Sequence, residues 1–206
     1  MIVETFMLFL TYFIQLFAIM NPFSVVPFFI SVTEGLRGSE VNAIVRKATA
    51  AGLTIVIAFT LLGKYILEVF NISIAGLRVG GGILLLVLAL DMLGGEPRTK
   101  RMDPGDVAVV PIATPLIIGP GTITTLLLLV ASKPGDYFNL LIVLVAGVFA
   151  CILSFTVLRA SNILVKILRV STVRALGRFM SIIIAGMAIE MIARGVVMYY
   201  YSLLSS

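Results

Sequence analysis

Two segments could bind a solute, because each combines prolines with small polar residues inside a long apolar stretch. The first runs from Asn21 to Pro27 and the second from Thr114 to Pro120. Both follow one pattern, in which a polar residue and a proline precede four residues and a second proline. A proline inside a helix removes a backbone hydrogen bond and clashes with the preceding turn. The pattern therefore predicts a helix interrupted twice.

An interrupted helix places a C-terminal end, with partial negative charge, beside an N-terminal end with partial positive charge. Backbone amides at such an N-terminus suit a carboxylate, and freed carbonyls suit an ammonium group or a cation. A zwitterion matches both. The predicted substrate-binding residues are Asn21, Pro22, Ser24 and Pro27 in the first segment, with Thr114, Pro115, Gly119, Pro120, Gly121 and Thr122 in the second.

The alternative is that these prolines only kink their helices, since proline and glycine are common in membrane helices. A single proline would favour that interpretation. A matched pair of breaks in corresponding spans favours a binding site, because such pairs occur at transporter sites.

The amino-acid composition indicates whether these segments lie in water or in a membrane. Six residues in ten are apolar, the mean hydropathy is +1.17, and only 15 Lys/Arg and 10 Asp/Glu are present. A soluble domain of this length needs more charge to cover its core. The alternating pattern of a β-barrel is absent. The sequence predicts an all-α polytopic membrane protein, a single membrane domain over 1–206, with six spans near 5–31, 44–69, 72–95, 107–131, 137–160 and 174–203.

The spans divide into two halves, 1–98 and 105–206, joined by a charged loop. Each half contains the double-proline segment in its first span, an arginine near the start of its third span (Arg78, Arg178) and a carboxylate in that same span (Asp91, Glu190). Three spans is an odd number, so the halves enter the membrane from opposite sides. We predict two inverted three-helix repeats with discontinuous first and fourth helices.

Basic residues predict the orientation. Lys and Arg are concentrated in the loops after the first, third and fifth spans, whereas the opposite loops hold little more than Lys64 and Lys133. An excess of Lys and Arg marks the cytoplasmic side of a membrane. Both termini should lie outside the cell, and the charged loop between the halves should lie in the cytoplasm.

Other residues have two interpretations. Asp91 and Glu190 could couple transport to a proton or cation, or Glu190 could pair with Arg194 on one helix face. Arg78 and Arg178 could gate or snorkel to the interface, and Gly80 and Gly81 favour close helix packing over substrate contact. No metal site, cofactor or nucleic-acid surface is expected. An enzyme is not expected either, since the chain has no His and no recognisable nucleophile and base pair.

Beside these features, several strings resemble the MarC family, also called UPF0056, over essentially the whole chain. They are Asn21 to Pro27, Ile72 to Gly81, Thr114 to Ile123, and Arg178-Phe179-Met180. The chain departs from the family pattern at Ser181, where many members have glycine, and at Glu190, where some have an amide.

The resemblance implies a six-span protein of the prokaryotic cell (inner) membrane. It also implies a transporter of small neutral amino acids such as glycine and alanine, described for SnatA-type members, with proton coupling. On this reading the partners are an amino acid, the lipid bilayer and a proton or cation, and the two broken segments hold the substrate. The alternatives are a passive small-solute channel and a membrane scaffold linked to envelope or drug stress.

Overall fold

The computed structural model describes residues 2–33, 35–94 and 117–204, and every regular element in these ranges is an α-helix. The predicted site residues Thr114 and Pro115 lie outside the described residues. The helices are α1 (Ile2–Met20), α2 (Pro22–Thr33), α3 (Gly38–Val69), α4 (Ile74–Leu93), α5 (Pro120–Ala131), α6 (Tyr137–Arg159) and α7 (Ser161–Leu204).

Five stretches of the described chain are long and apolar enough to cross a membrane. The first, Val3–Ile30, combines α1 and most of α2, and the other four are α3, α4, α6 and α7. α5 is apolar but has only 12 residues, because it begins at Pro120, directly after its N-cap Gly119; residues 107–116 of the predicted span lie outside the described ranges. The all-α membrane class is confirmed, and the count of six spans stays a prediction.

Two helices extend well beyond their predicted bounds. α3 begins at Gly38 rather than near 44, and the Arg37 backbone amide donates to Glu40 Oε2 at 2.7 Å across its first turn. α7 begins at Ser161 rather than near 174, but Arg169 interrupts it with φ 60° and ψ 153°. Leu164 and Leu168 pack on the core ahead of that break, so burial of an apolar face explains the additional helix.

The packing places the two interrupted segments inside the bundle. α4 packs most extensively on α7, α6 packs on α1 and α3, α2 packs on α7, and α5 packs on α3 and α4. Large apolar side chains are exposed on most helices, as expected for a surface in contact with lipid. The main apolar cluster extends from Tyr12 of α1 to Val173 of α7 and contains residues from both segments.

A buried hydrogen-bond chain anchors α1 to α6. Tyr12 Oη donates to Asn139 Oδ1 at 2.9 Å, and Asn139 Nδ2 donates to the Leu129 carbonyl at 3.1 Å. Because Tyr12→Phe leaves a buried acceptor without this donor, we expect it to lower stability by about 1–3 kcal/mol. Thermal unfolding can be followed with a thiol-reactive dye, since the single cysteine, Cys151, is buried. Tyr65→Phe, at a tyrosine that is 62% exposed, is the control and should change little; equal losses in both variants would contradict the assignment.

Candidate functional site

The first break is a single residue wide. α1 ends at Met20, Asn21 has a left-handed backbone with φ 36°, and α2 begins at Pro22. The Asn21 amide still donates to the Phe17 carbonyl at 3.0 Å. Pro22 has no N–H, so the carbonyl of Ala18 loses the donor that a continuous helix would provide. The chain turns here and leaves a carbonyl end at the C-terminus of α1.

The sequence predicted a second interruption at Pro27, and the structure has none there. Helix resumes at once at Pro22, and Pro27 lies inside α2. Pro22 is tolerated because proline suits the first position of a helix, where an amide has no intrahelical partner. Pro27 removes only its own donor, and the surrounding residues of α2 remain helical.

Asn21 has an unusual side-chain environment at the break. It is completely buried, and its Nδ2 donates to the Gly177 carbonyl at 3.2 Å and approaches Met92 Sδ at 3.5 Å. Its Oδ1 is buried and has no hydrogen-bond partner among the residues that the structure describes. Buried side-chain acceptors are normally paired, so an orphaned amide oxygen fixed at a helix break is a candidate ligand-binding atom.

Ser24, one turn into α2, lies directly against α7. A Cβ atom added at Gly177 would lie 2.7 Å from Ser24 Oγ and 3.1 Å from Ser24 Cα. Only glycine permits this approach. Gly177 therefore contacts both the side chain at the break and the first turn of the helix that follows it.

In the described part of the second segment, the chain is interrupted immediately before its second proline, Pro120. Gly119 is the N-cap of α5, and Pro120 is its first residue. Thr122 is 1% exposed, and its Oγ1 donates to the Ile117 carbonyl at 3.1 Å. Thr122 thus fixes the chain that precedes the break. In the first turn of α5, Pro120 is exposed, but Gly121 and Thr122 are buried and their amides have no intrahelical partners.

The two breaks are close together inside the bundle. A Cβ atom added at Gly121 would lie 3.5 Å from Ile19 Cγ2 and 2.5 Å from Leu85 Cδ2. Ile117 and Ile118 belong to the same buried cluster as Met20, which precedes the first break. The C-terminal end of α1 and the N-terminal end of α5 therefore present opposite partial charges to one region of the interior.

The glycines of α4 differ in their surroundings. A Cβ atom at Gly81 would overlap Thr124 Cγ2 of α5, and one at Gly82 would lie 2.8 Å from the Ala188 carbonyl of α7. A Cβ atom at Gly80 meets nothing within 4 Å. Gly81 is therefore closely packed against α5, whereas Gly80 is not, because Gly80 lies on the exposed face of α4.

The charged candidates are distributed around the bundle. Glu190 forms the expected ion pair with Arg194, and both side chains are more than 60% exposed, so Glu190 faces away from the breaks. Arg178 is exposed, whereas Arg78 is partly buried and its Nε has no hydrogen-bond partner within the described part of the chain. Asp91 is half-buried near the end of α4, adjacent to the methionine that approaches Asn21.

Met92 and Gly177, the two residues that Asn21 Nδ2 approaches, are not predicted by the sequence. Met92 resembles an ordinary apolar residue, and no local motif marks Gly177. The sequence marks them only by position, since Met92 follows Asp91 and Gly177 precedes Arg178, two residues that were candidates for function. The structure also has a cavity of about 240 Å³ lined by Glu4, among others. Glu4 lies near the start of α1 and Asn21 directly follows its end, so the cavity is about 25 Å from Asn21 at 1.5 Å per residue. It is separate from the breaks.

An all-helical bundle with an apolar exterior, several spans and buried proline-interrupted segments defines a polytopic integral membrane protein. A family profile described as MarC family integral membrane protein matches residues 6–200. The chain belongs to the MarC family.

Its relatives include archaeal and bacterial proteins. The UPF0056 membrane protein MJ1677 of Methanocaldococcus jannaschii is 36% identical over 91% of this chain and 95% of its own length. The UPF0056 membrane protein YvbG of Bacillus subtilis is 33% identical over 89% of this chain and 91% of its own length. A third, PYRAB13050 of Pyrococcus abyssi, is also 33% identical. No solved structure matches the chain.

Proposed function

We propose that this protein is a secondary transporter of small neutral amino acids such as glycine and alanine. It binds its substrate between the broken first and fourth spans and works by alternating access. It is a carrier and not an enzyme, and it needs no cofactor.

The observation that carries this proposal is the orphaned oxygen of Asn21. The ammonium group of an amino acid can donate to Asn21 Oδ1 and to the freed carbonyls at the end of α1, beginning with Ala18. The carboxylate can then accept from the first-turn amides of α5 around Gly121 and Thr122. Both ends of a zwitterion are matched by neutral groups, so no fixed charge is required in the bilayer.

The packing around the breaks favours a small substrate. Asn21 and Met20 are completely buried, Thr122 is 1% exposed, and Leu85 lies close to Gly121. Such close packing would admit a hydrogen or a methyl group at the α-carbon of a substrate more readily than a long side chain. Glycine and alanine are accordingly the proposed substrates, and a large drug is not.

The contacts between helices support inverted repeats. Under the proposed six-span scheme, α2 packs on α6 as α5 packs on α3, and α2 packs on α7 as α5 packs on α4. In each of these comparisons, a helix of the first half takes the place that a helix of the second half has in the other contact. Such pseudo-symmetry allows the halves to exchange conformations and open the site to either side. We propose both termini outside and a location in the prokaryotic cell membrane.

Transport requires an energy source other than ATP, because no ATP-binding motif accompanies the spans. A proton or cation gradient, or exchange, is the proposed source. Asp91 is the stronger coupling residue, since it adjoins Met92, which approaches Asn21 Nδ2. Glu190 is the weaker one because it is exposed and paired with Arg194.

Uptake of labelled glycine into proteoliposomes tests the proposal. Asn21→Gly keeps a residue that tolerates φ 36° but removes the amide, so it separates side-chain chemistry from backbone strain. We expect at least a tenfold loss of glycine uptake in Asn21→Gly. Saturation and counterflow in the unmodified protein would distinguish a carrier from a channel.

Asn71→Gly is the matched control. Asn71 has a similar left-handed backbone, with φ 52°, but is exposed in the turn before α4. We expect its uptake to equal that of the unmodified protein. Normal uptake in Asn21→Gly would contradict the proposed binding site. If the unmodified protein shows no saturable uptake of glycine or alanine, the proposed function is wrong.

A further inference from the structure

We propose that the exposed face of α7 around Glu190 is the interface between two copies of this chain. This inference is independent of the transported substrate. It rests on an ion pair that the single chain directs outward at a depth where lipid would surround it.

The depth of Glu190 follows from two independent distances along the helices. Tyr199 Oη of α7 lies 3.3 Å from Oγ of Ser73, the N-cap of α4, which marks one edge of the bundle. Glu190 is nine residues from Tyr199, about 13 Å at 1.5 Å per residue. On α4, Gly82 is also nine residues from Ser73, and it contacts the Ala188 carbonyl beside Glu190. The hydrocarbon core is about 30 Å thick, so Glu190 lies near its middle.

The ion pair is exposed at this depth. Glu190 and Arg194 side chains are 61% and 65% exposed in the described chain. Charged side chains within membrane spans normally face a bundle interior, a cavity or another protein. The headgroups of lipids are too far from the middle of the bilayer to satisfy Glu190. A protein surface is therefore required to cover it.

The residues around the pair have the composition of a helix–helix contact. Gly186, Glu190, Ala193 and Val197 follow one another at spacings of four, three and four, so they share one face of α7. All four are exposed, and a Cβ atom at Gly186 would meet nothing within 4 Å. Small residues on such a face allow a second helix to approach closely.

A second copy of this chain is the partner that this face fits. In a dimer with its twofold axis normal to the membrane, the same face meets itself at the same depth. Glu190 of each copy then lies one helical turn from Arg194 of the other. The four charges alternate in sign and satisfy one another without any additional partner.

Cysteine cross-linking in liposomes tests the interface. In a Cys151→Ala parent, Gly186→Cys and Ala193→Cys should each give a covalent dimer on oxidation. Val145→Cys is the control, because Val145 is exposed on α6 at about 12 Å from the start of that helix. We expect the control to remain monomeric. The proposal would be overturned if neither α7 variant cross-links more than the control does. It would also be overturned if the variants cross-link to a different protein.

The charges are tested by a second pair of variants. Glu190→Leu with Arg194→Leu makes the face compatible with lipid and should weaken dimerisation at least tenfold, measured by energy transfer between labelled copies at increasing lipid dilution. Glu190→Arg with Arg194→Glu exchanges the charges, retains complementarity, and should dimerise like the parent. Unchanged dimerisation in the double leucine variant would overturn the role of the ion pair.

Discussion

Gly81→Ala is expected to separate α4 from α5 and to abolish transport. A Cβ atom at Gly81 would overlap Thr124 Cγ2, and Thr124 is 6% exposed, so it has no free space into which to move. Overpacking a close-packed core costs about 1–3 kcal/mol. For a chain of this size, that lowers the melting temperature by about 2–4 °C per kcal/mol. The Cys151 dye assay measures the shift, and glycine uptake measures the loss of activity.

The adjacent glycine and the opposing threonine provide the controls. Gly80→Ala adds the same methyl group in open space, so it should leave both stability and uptake unchanged. Thr124→Ser removes Cγ2, the atom that overlaps, and the nearest remaining atom is Thr124 Cβ at 3.0 Å. Gly81→Ala with Thr124→Ser should therefore recover most of the lost stability. Equal effects of Gly80→Ala and Gly81→Ala would show that the contact with α5 is not the cause.

Gly80 and Gly81 show how much of the helix packing could be predicted from the sequence. A run of glycines in α4 predicts close packing, but it does not reveal which glycine faces a neighbour. That depends on the rotation of α4, which is fixed by α5 and α7 together. The apolar runs predicted the helices well, since a span must satisfy its backbone groups internally whatever its neighbours.

The helix breaks were also predictable from the sequence only in part. The prolines predicted where helices would be interrupted, but the second prolines of the two motifs differ, since Pro27 lies inside α2 whereas Pro120 begins α5 directly after Gly119. Asparagine adopts a left-handed backbone more readily than most residues, whereas Gly119 is an N-cap that precedes a proline in its favoured position. The contact between Asn21 and Gly177 is far along the chain, and no local pattern encodes it.

Gly177→Ala is expected to have the second large effect, because it acts on the break itself. The new methyl group would lie 2.7 Å from Ser24 Oγ, and also 3.1 Å from Ser24 Cα and 3.2 Å from its backbone nitrogen. Backbone atoms cannot rotate away as a side chain can, so α2 must shift relative to α7. The shift also disturbs the bond from Asn21 Nδ2 to the Gly177 carbonyl. We expect a loss of about 1–3 kcal/mol in stability and loss of glycine uptake.

Truncation of Ser24 distinguishes this contact from that at Gly81. Ser24→Gly removes Oγ but leaves the Cα and backbone nitrogen contacts, so Gly177→Ala with Ser24→Gly should recover only part of the stability. Gly186→Ala, on the exposed face of the same helix, adds a methyl group in open space and should leave the folding stability of the single chain unchanged. Full recovery on truncating Ser24 would show that only a side chain opposes Gly177. The backbone of α2 would then not rest on α7, and the orientation of Asn21 would depend on its own hydrogen bond rather than on the packing of the two helices.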